Sequence, residues 1–186
     1  FLFDHAYLIH DFLPTKKQTP TWQLALNNGT NNQTVIVTSF SKVTFGGGGL
    51  SFLAADGDNL DIIKKTRLSM VICPDKINQQ RHVDLFKNKE AIESHMTKHA
   101  NLIRPKFETS YEILGSISDD YGTFSKPTGG YFITYKTSKP IASKVIDLCS
   151  VLGVSLTPAG ATFPNSNDPN NNIIRIAPTF IDEDEL

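Results

Sequence analysis

The run Thr34-Val35-Ile36-Val37 leads into Thr38-Ser39-Phe40-Ser41-Lys42-Val43-Thr44-Phe45 and then into four consecutive glycines at positions 46–49, after which the chain turns apolar again over residues 50–55. A short β-branched run of this kind predicts a buried strand. Lys42 then lies just past the strand's C-terminal end, the edge at which open α/β sheets bind ligands. Val35, Ile36, Val37, Phe40, Val43 and Phe45 surround it in sequence, and no acidic residue occurs between Asp11 and Asp56. An amine held in apolar surroundings loses its proton more readily and can attack a carbonyl to form a Schiff base. Ser39 and Ser41 add hydroxyls, and the glycines allow a sharp turn and close backbone approach. Together these are the parts that an aldehyde-bearing, phosphate-carrying cofactor needs. The plainer reading is a solvated lysine beside a flexible glycine turn. The order of residues is not that of a Walker A loop, whose lysine follows the glycines.

With 186 residues, 39% hydrophobic and 20% charged, the chain can build one domain or two small ones. A net charge of −1 gives no electrostatic case for nucleic acid or an anionic membrane. No apolar run approaches the roughly 20 residues of a transmembrane helix, and no signal-peptide pattern is present. Cys73 and Cys149 stand far apart without metal-site spacing, which points to reduced thiols and makes the cytoplasm the default location. The start at Phe1 without methionine, inside an expected strand, and the acidic run at residues 182–185, which reads as the opening of a helix, suggest a piece of a longer protein.

Along the chain, strands are expected at residues 1–3, 34–38, 50–55, 131–135, 154–156 and 173–176, and a surface loop with one helical turn over residues 13–32. Helices are expected from a cap at Asp58 or Asn59 to Met70, over residues 77–86, and from Ile141 to Leu152, the last ended by Gly153. Between residues 89 and 114, Ile92, Met96, Leu102, Ile103, Phe107, Tyr111 and Leu114 recur at helical spacing, predicting one long amphipathic helix or two pieces broken at Pro105.

Asp4 and Tyr7 follow the first strand, so they share a sheet edge with Lys42. Asp4 either pairs with a protonated ring nitrogen, strengthening the ring as an electron sink, or caps a turn. Tyr7 either donates to a phenolate oxygen or is a half-buried core tyrosine. Arg175, between Ile174 and Ile176, is either a bidentate clamp for a substrate carboxylate or an exposed strand residue. The five histidines show no metal-ligand spacing, and His95 and His99, in a lysine-rich helix, read as solvated.

Five motifs occur in order: Asp4-x-x-Tyr7, Ser39-x-Ser41-Lys42, Pro127-x-Gly129-Gly130-Tyr131-Phe132, Pro158-Ala159-Gly160-Ala161-Thr162-Phe163 and Arg175-Ile176-Ala177-Pro178. In this order they resemble the C-terminal half of a fold-type I pyridoxal-phosphate aminotransferase. More narrowly, residues 74–82 and 157–164 are similar to the aspartate aminotransferases of the bacterial MocR-like group. The resemblance implies that Lys42 carries the cofactor Schiff base and shuttles the proton between substrate Cα and cofactor C4′. Asp4 would bind the pyridine nitrogen, Tyr7 the 3′-oxygen, Ser39 and Ser41 the phosphate, and Arg175 the substrate α-carboxylate.

The implied fold is α/β. Residues 1–88 would be the C-terminal part of the cofactor-binding large domain, with a mostly parallel sheet. Residues 89–120 would form a connecting helix, and residues 121–186 a small α+β domain truncated at its end. The implied activity is transamination of aspartate or a similar amino acid with a 2-oxo acid acceptor, by a homodimer, with no metal. Leu50 stands where many such enzymes carry a phosphate-binding arginine, eight residues after the lysine. The N-terminal half, source of a glycine-rich phosphate loop, a ring-stacking aromatic and an asparagine, is not in this sequence, so the chain alone is expected to be inactive with an exposed sheet edge. The competing readings are a lyase or decarboxylase on the same cofactor, and a non-catalytic regulatory or interaction module.

Overall fold

The computed structural model describes residues 1–13 and 19–186. The architecture is α/β, in two compact units. The first holds Phe1–His10 and the described residues up to Lys98; the second holds Asp11–Leu13 and His99–Leu186. The loop expected over residues 13–32 lies partly outside the described residues.

In the first unit, β1 (Leu2–Asp4) runs parallel to β2 (Val35–Ser39), with Asp4 opposite Val37. Parallel neighbours need a long crossover, and residues 5–34 supply one that contains α1 (Thr21–Asn27). β3 (Ser51–Ala55) pairs antiparallel to β2, with Ser39 opposite Ser51. Residues 40–50 are too few to carry a helix back across the sheet, so the strand must return beside its predecessor. The strand order is β1-β2-β3, and β1 is an exposed edge. Two helices follow. α2 (Gly57–Met70) is capped by Asp56, whose carboxylate accepts from the Gly57 amide, so the cap precedes the expected Asp58 and Asn59. α3 (Lys76–Leu85) is capped by Asp75, which accepts from the amides of Ile77 and Asn78 at 2.9 and 3.1 Å.

The helix α4 (Lys89–Gly115) passes through the boundary between the units without interruption, with Pro105 inside it. In the second unit, β4 (Gly122–Phe124), β5 (Ile133–Thr137) and β6 (Ile173–Ile176) form an antiparallel sheet in that order. Burial alternates along β5, with Ile133, Tyr135 and Thr137 inward. One core cluster joins Phe12, Ala100, Ile103, Phe107 and Ile133. Phe107 is fully buried, its ring centroid 4.4 Å from that of Phe12. Burying one such side chain contributes roughly 1.5–3 kcal/mol. A second cluster joins Tyr135 and Ile174 to Ala142 and Ile146 of α5 (Ala142–Val151). Gly153, at φ +87°, ends α5 as expected. The strand expected at residues 154–156 does not form. The Val154 amide is bonded to Cys149 O at 2.8 Å, which closes the helix end instead of joining a sheet.

Candidate functional site

The loop from β2 to β3 closes on itself. The Phe40 amide donates to Leu50 O at 2.8 Å, and the amides of Val43 and Thr44 donate to Phe40 O at 3.0 and 2.9 Å. That turn divides its side chains. Val43 is buried, whereas Lys42 is exposed. The lysine is therefore not enclosed by its apolar neighbours in sequence, because the turn sends Val43 inward and Lys42 outward. Glycine is required at one point for contact: a Cβ on Gly49 would stand 2.3 Å from the Ser41 amide nitrogen. Ser39 Oγ accepts from the Ser41 amide at 3.3 Å, which leaves the Ser39 hydroxyl proton to donate elsewhere.

The parallel pairing of β1 with β2 brings the chain after Asp4 to the same sheet edge as the lysine turn. Asp4 is exposed at the end of β1, and one carboxylate oxygen accepts from the Ala6 amide at 3.0 Å, a turn-capping bond. Thr38 Oγ1 donates to His5 O at 3.0 Å and ties the two strand ends together. Tyr7 is half-buried, its ring edge-on to His10 at 5.3 Å. Asp4, Tyr7, Ser39, Ser41 and Lys42 thus belong to one unit and one edge.

Arg175 belongs to the second unit. It is half-buried on β6, its guanidinium carbon 4.5 Å from the centre of the Phe132 ring, and its Nε–H donates to Thr157 Oγ1 at 3.1 Å. Stacking and the Nε bond fix the plane of the fork and direct its terminal nitrogens. Among the described residues no carboxylate forms an ion pair with it. The same unit holds an apolar cavity of about 700 Å³ lined by Leu114, Tyr121, Tyr135, Val145 and Ile174, among others. None of the residues nominated from sequence lines it.

The histidines differ from expectation. His95 and His99 are not solvated: His95 Nε2 lies 2.8 Å from Val43 O, and His99 Nε2 lies 3.0 Å from the Tyr131 hydroxyl. His10 and His82 are buried, and His82 stacks on Phe40 with ring centroids 5.9 Å apart. Sequence spacing carried no sign of this, because each partner lies far away along the chain.

The family model for aspartate amino-transferase matches residues 1–186. The chain belongs to the aspartate amino-transferase family. It is 33% identical to an aspartate aminotransferase of Corynebacterium glutamicum, over all of this chain and 44% of that one. The crystal structure of an aspartate transaminase from C. glutamicum superposes with a TM-score of 0.92 at 32% identity, covering 99% of this chain and 44% of that one. An α-aminoadipate aminotransferase of Thermus thermophilus, solved with N-(5′-phosphopyridoxyl)-L-leucine, shares the fold at a TM-score of 0.83 and 20% identity, with 98% of this chain and 46% of that one covered. The chain therefore spans less than half the length of these relatives. The family is one of pyridoxal-phosphate-dependent aminotransferases, and no helix among the described residues of this member is long and apolar enough to cross a membrane.

Proposed function

We propose that this chain is the C-terminal half of a pyridoxal-phosphate aminotransferase of the MocR-like group, acting on aspartate or a similar acidic amino acid with a 2-oxo acid acceptor, as a cytoplasmic homodimer. The observation that carries the reading is the shared edge of β1 and β2, which gathers an exposed amine, two hydroxyls, a carboxylate and a phenol. That donor set fits an aldehyde-bearing pyridine phosphate. When bound, the cofactor supplies an electron sink for the pair left when the substrate Cα–H bond breaks.

The chain's own residues would do the rest. Lys42 would hold the cofactor covalently and then, once released, carry the proton at substrate Cα. Asp4 would offer its carboxylate to a protonated ring nitrogen. Tyr7 would donate its hydroxyl to the ring oxygen. Ser39 and Ser41 would donate to phosphate oxygens. Arg175, stacked on Phe132, would take the substrate α-carboxylate bidentately.

The test is a titration of the chain with pyridoxal phosphate, followed by visible absorbance beside Lys42→Ala. A band that saturates with the unmutated chain and is absent from the variant supports the reading; equal bands from both contradict it. The 186-residue chain alone is expected to show no turnover of aspartate and 2-oxoglutarate, and measurable formation of glutamate would contradict that.

A further inference from the structure

Three consecutive residues of the lysine turn are each held by a different histidine. His10 Nε2 lies 3.1 Å from Lys42 O, His95 Nε2 lies 2.8 Å from Val43 O, and His82 Nε2 lies 2.9 Å from Thr44 Oγ1. The rings come from three separate places: the chain after β1, α4 and α3. His10 and His82 are 1% and 3% exposed. We propose that His10, His82 and His95 form a collar of positioning residues that fixes the backbone of residues 42–44 and so sets the direction in which the Lys42 amine leaves the turn. The inference rests on Lys42 being the reactive amine.

The bonding partners dictate how the rings must be protonated. A carbonyl only accepts, so His10 and His95 must both carry a proton on Nε2. His82 is different. Its Nδ1 lies 2.8 Å from Asn78 O, one turn earlier on α3, so Nδ1 carries the proton and the neutral ring presents Nε2 as an acceptor. The Thr44 hydroxyl then donates to it, while Phe40 O, 3.1 Å from that hydroxyl, keeps the amides of Val43 and Thr44. Each hydrogen bond named here then has one donor and one acceptor. His82 is further set by Phe40 stacked at 5.9 Å and Phe45 edge-on at 6.0 Å, and His95 by Phe86 edge-on at 5.3 Å. His10 has Tyr7 edge-on at 5.3 Å, so aromatic packing orients all three rings, and the rings orient the turn. None of the three contacts involves the lysine's amine, so the collar acts through the backbone.

Two measurements test this, and they separate it from the reading it rests on. The first needs no cofactor: long-range ¹H–¹⁵N spectra of the histidine rings in the unmutated chain, at a pH where they are neutral. The collar requires Nε2–H on His10 and His95 and Nδ1–H on His82. Any other assignment overturns it.

The second is competitive acetylation of lysines by limiting acetic anhydride, with the Lys42-to-Lys64 labelling ratio read by mass spectrometry. His95→Leu, which keeps bulk but cannot donate, should change that ratio roughly fivefold, the equivalent of one carbonyl hydrogen bond. His95→Gln, whose amide can still donate, should restore it to within twofold. An unchanged ratio in a folded His95→Leu chain, or no difference between the two variants, overturns the proposal. If His95→Leu fails to fold, the tautomers decide. Failure of pyridoxal phosphate to react at Lys42 would instead count against the cofactor reading and leave both measurements interpretable.

Discussion

The glycine run after Lys42 holds positions with sharply different demands, and alanine substitutions should rank them. At Gly46 nothing lies within 4 Å of where a methyl group would stand and φ is ordinary, so Gly46→Ala should be neutral or stabilising by about 0.4–1 kcal/mol through the unfolded chain. Gly47 has the same open space but φ is +77°, so Gly47→Ala should cost about 1–2 kcal/mol of left-handed backbone strain. At Gly49 the new Cβ would meet Ser41 N at 2.3 Å and Ser41 Cα at 2.5 Å. Both are backbone, so relief requires moving the lysine turn itself, and Gly49→Ala should cost about 1–3 kcal/mol or more. The assay is urea unfolding followed by tryptophan fluorescence. Trp22 is the only tryptophan and lies on α1, so it reports on the first unit. Midpoints at unchanged slope give the stability order directly. The expected order is Gly46→Ala above the unmutated chain or level with it, then Gly47→Ala, then Gly49→Ala. A Gly49→Ala chain as stable as the unmutated one, or less damaged than Gly46→Ala, would refute the contact argument.

Other outcomes follow from the second unit. Burial raises the Tyr111 phenol to about 12 from an ordinary 10, and its hydroxyl donates to Pro127 O at 2.9 Å. Its contribution is complete below pH 10 and is lost as pH rises towards about 12, because the unfolded phenol ionises first; Tyr111→Phe should flatten that alkaline loss in melts recorded from about pH 9 to 12. Burial acts to raise the Asp168 carboxyl, but the amides of Ile173, Asn172, Asn170 and Asn171 outweigh it and hold it below the ordinary 3.8. That stability is present above the unfolded value and lost as pH falls through the folded one, so Asp168→Asn should weaken the chain at neutral pH and remove the acid-side decline in melts carried down to acid pH.

The parts of the fold that were readable in the sequence are those set by local pattern. Val35-Ile36-Val37 gave β2 because β-branched side chains suit a pleated strand. Met96, Ile103 and Phe107 gave α4 because their spacing puts them on one buried stripe, and that packing carries the helix through Pro105. Asp4 and Lys42 could be assigned to one edge because consecutive strands of an α/β sheet tend to run side by side. What escaped depended on partners distant in sequence. His10, His82 and His95 are polar residues in ordinary surroundings until the fold places a carbonyl or hydroxyl of residues 42–44 against each. The exposure of Lys42 escaped for a related reason. Apolar neighbours in sequence do not become neighbours in space when a tight turn alternates their directions. The apolar run at residues 154–156 misled because a helix end, not a sheet, uses the Val154 amide.

The central claim is that Lys42 is the chain's reactive amine. Incubation with pyridoxal phosphate, reduction with borohydride and peptide mapping test it most directly, since the reduced label survives digestion. The account predicts a pyridoxyl label concentrated on Lys42 and missing from Lys42→Ala. A label spread evenly over exposed lysines such as Lys64 and Lys89, with the total unchanged in the variant, would contradict it.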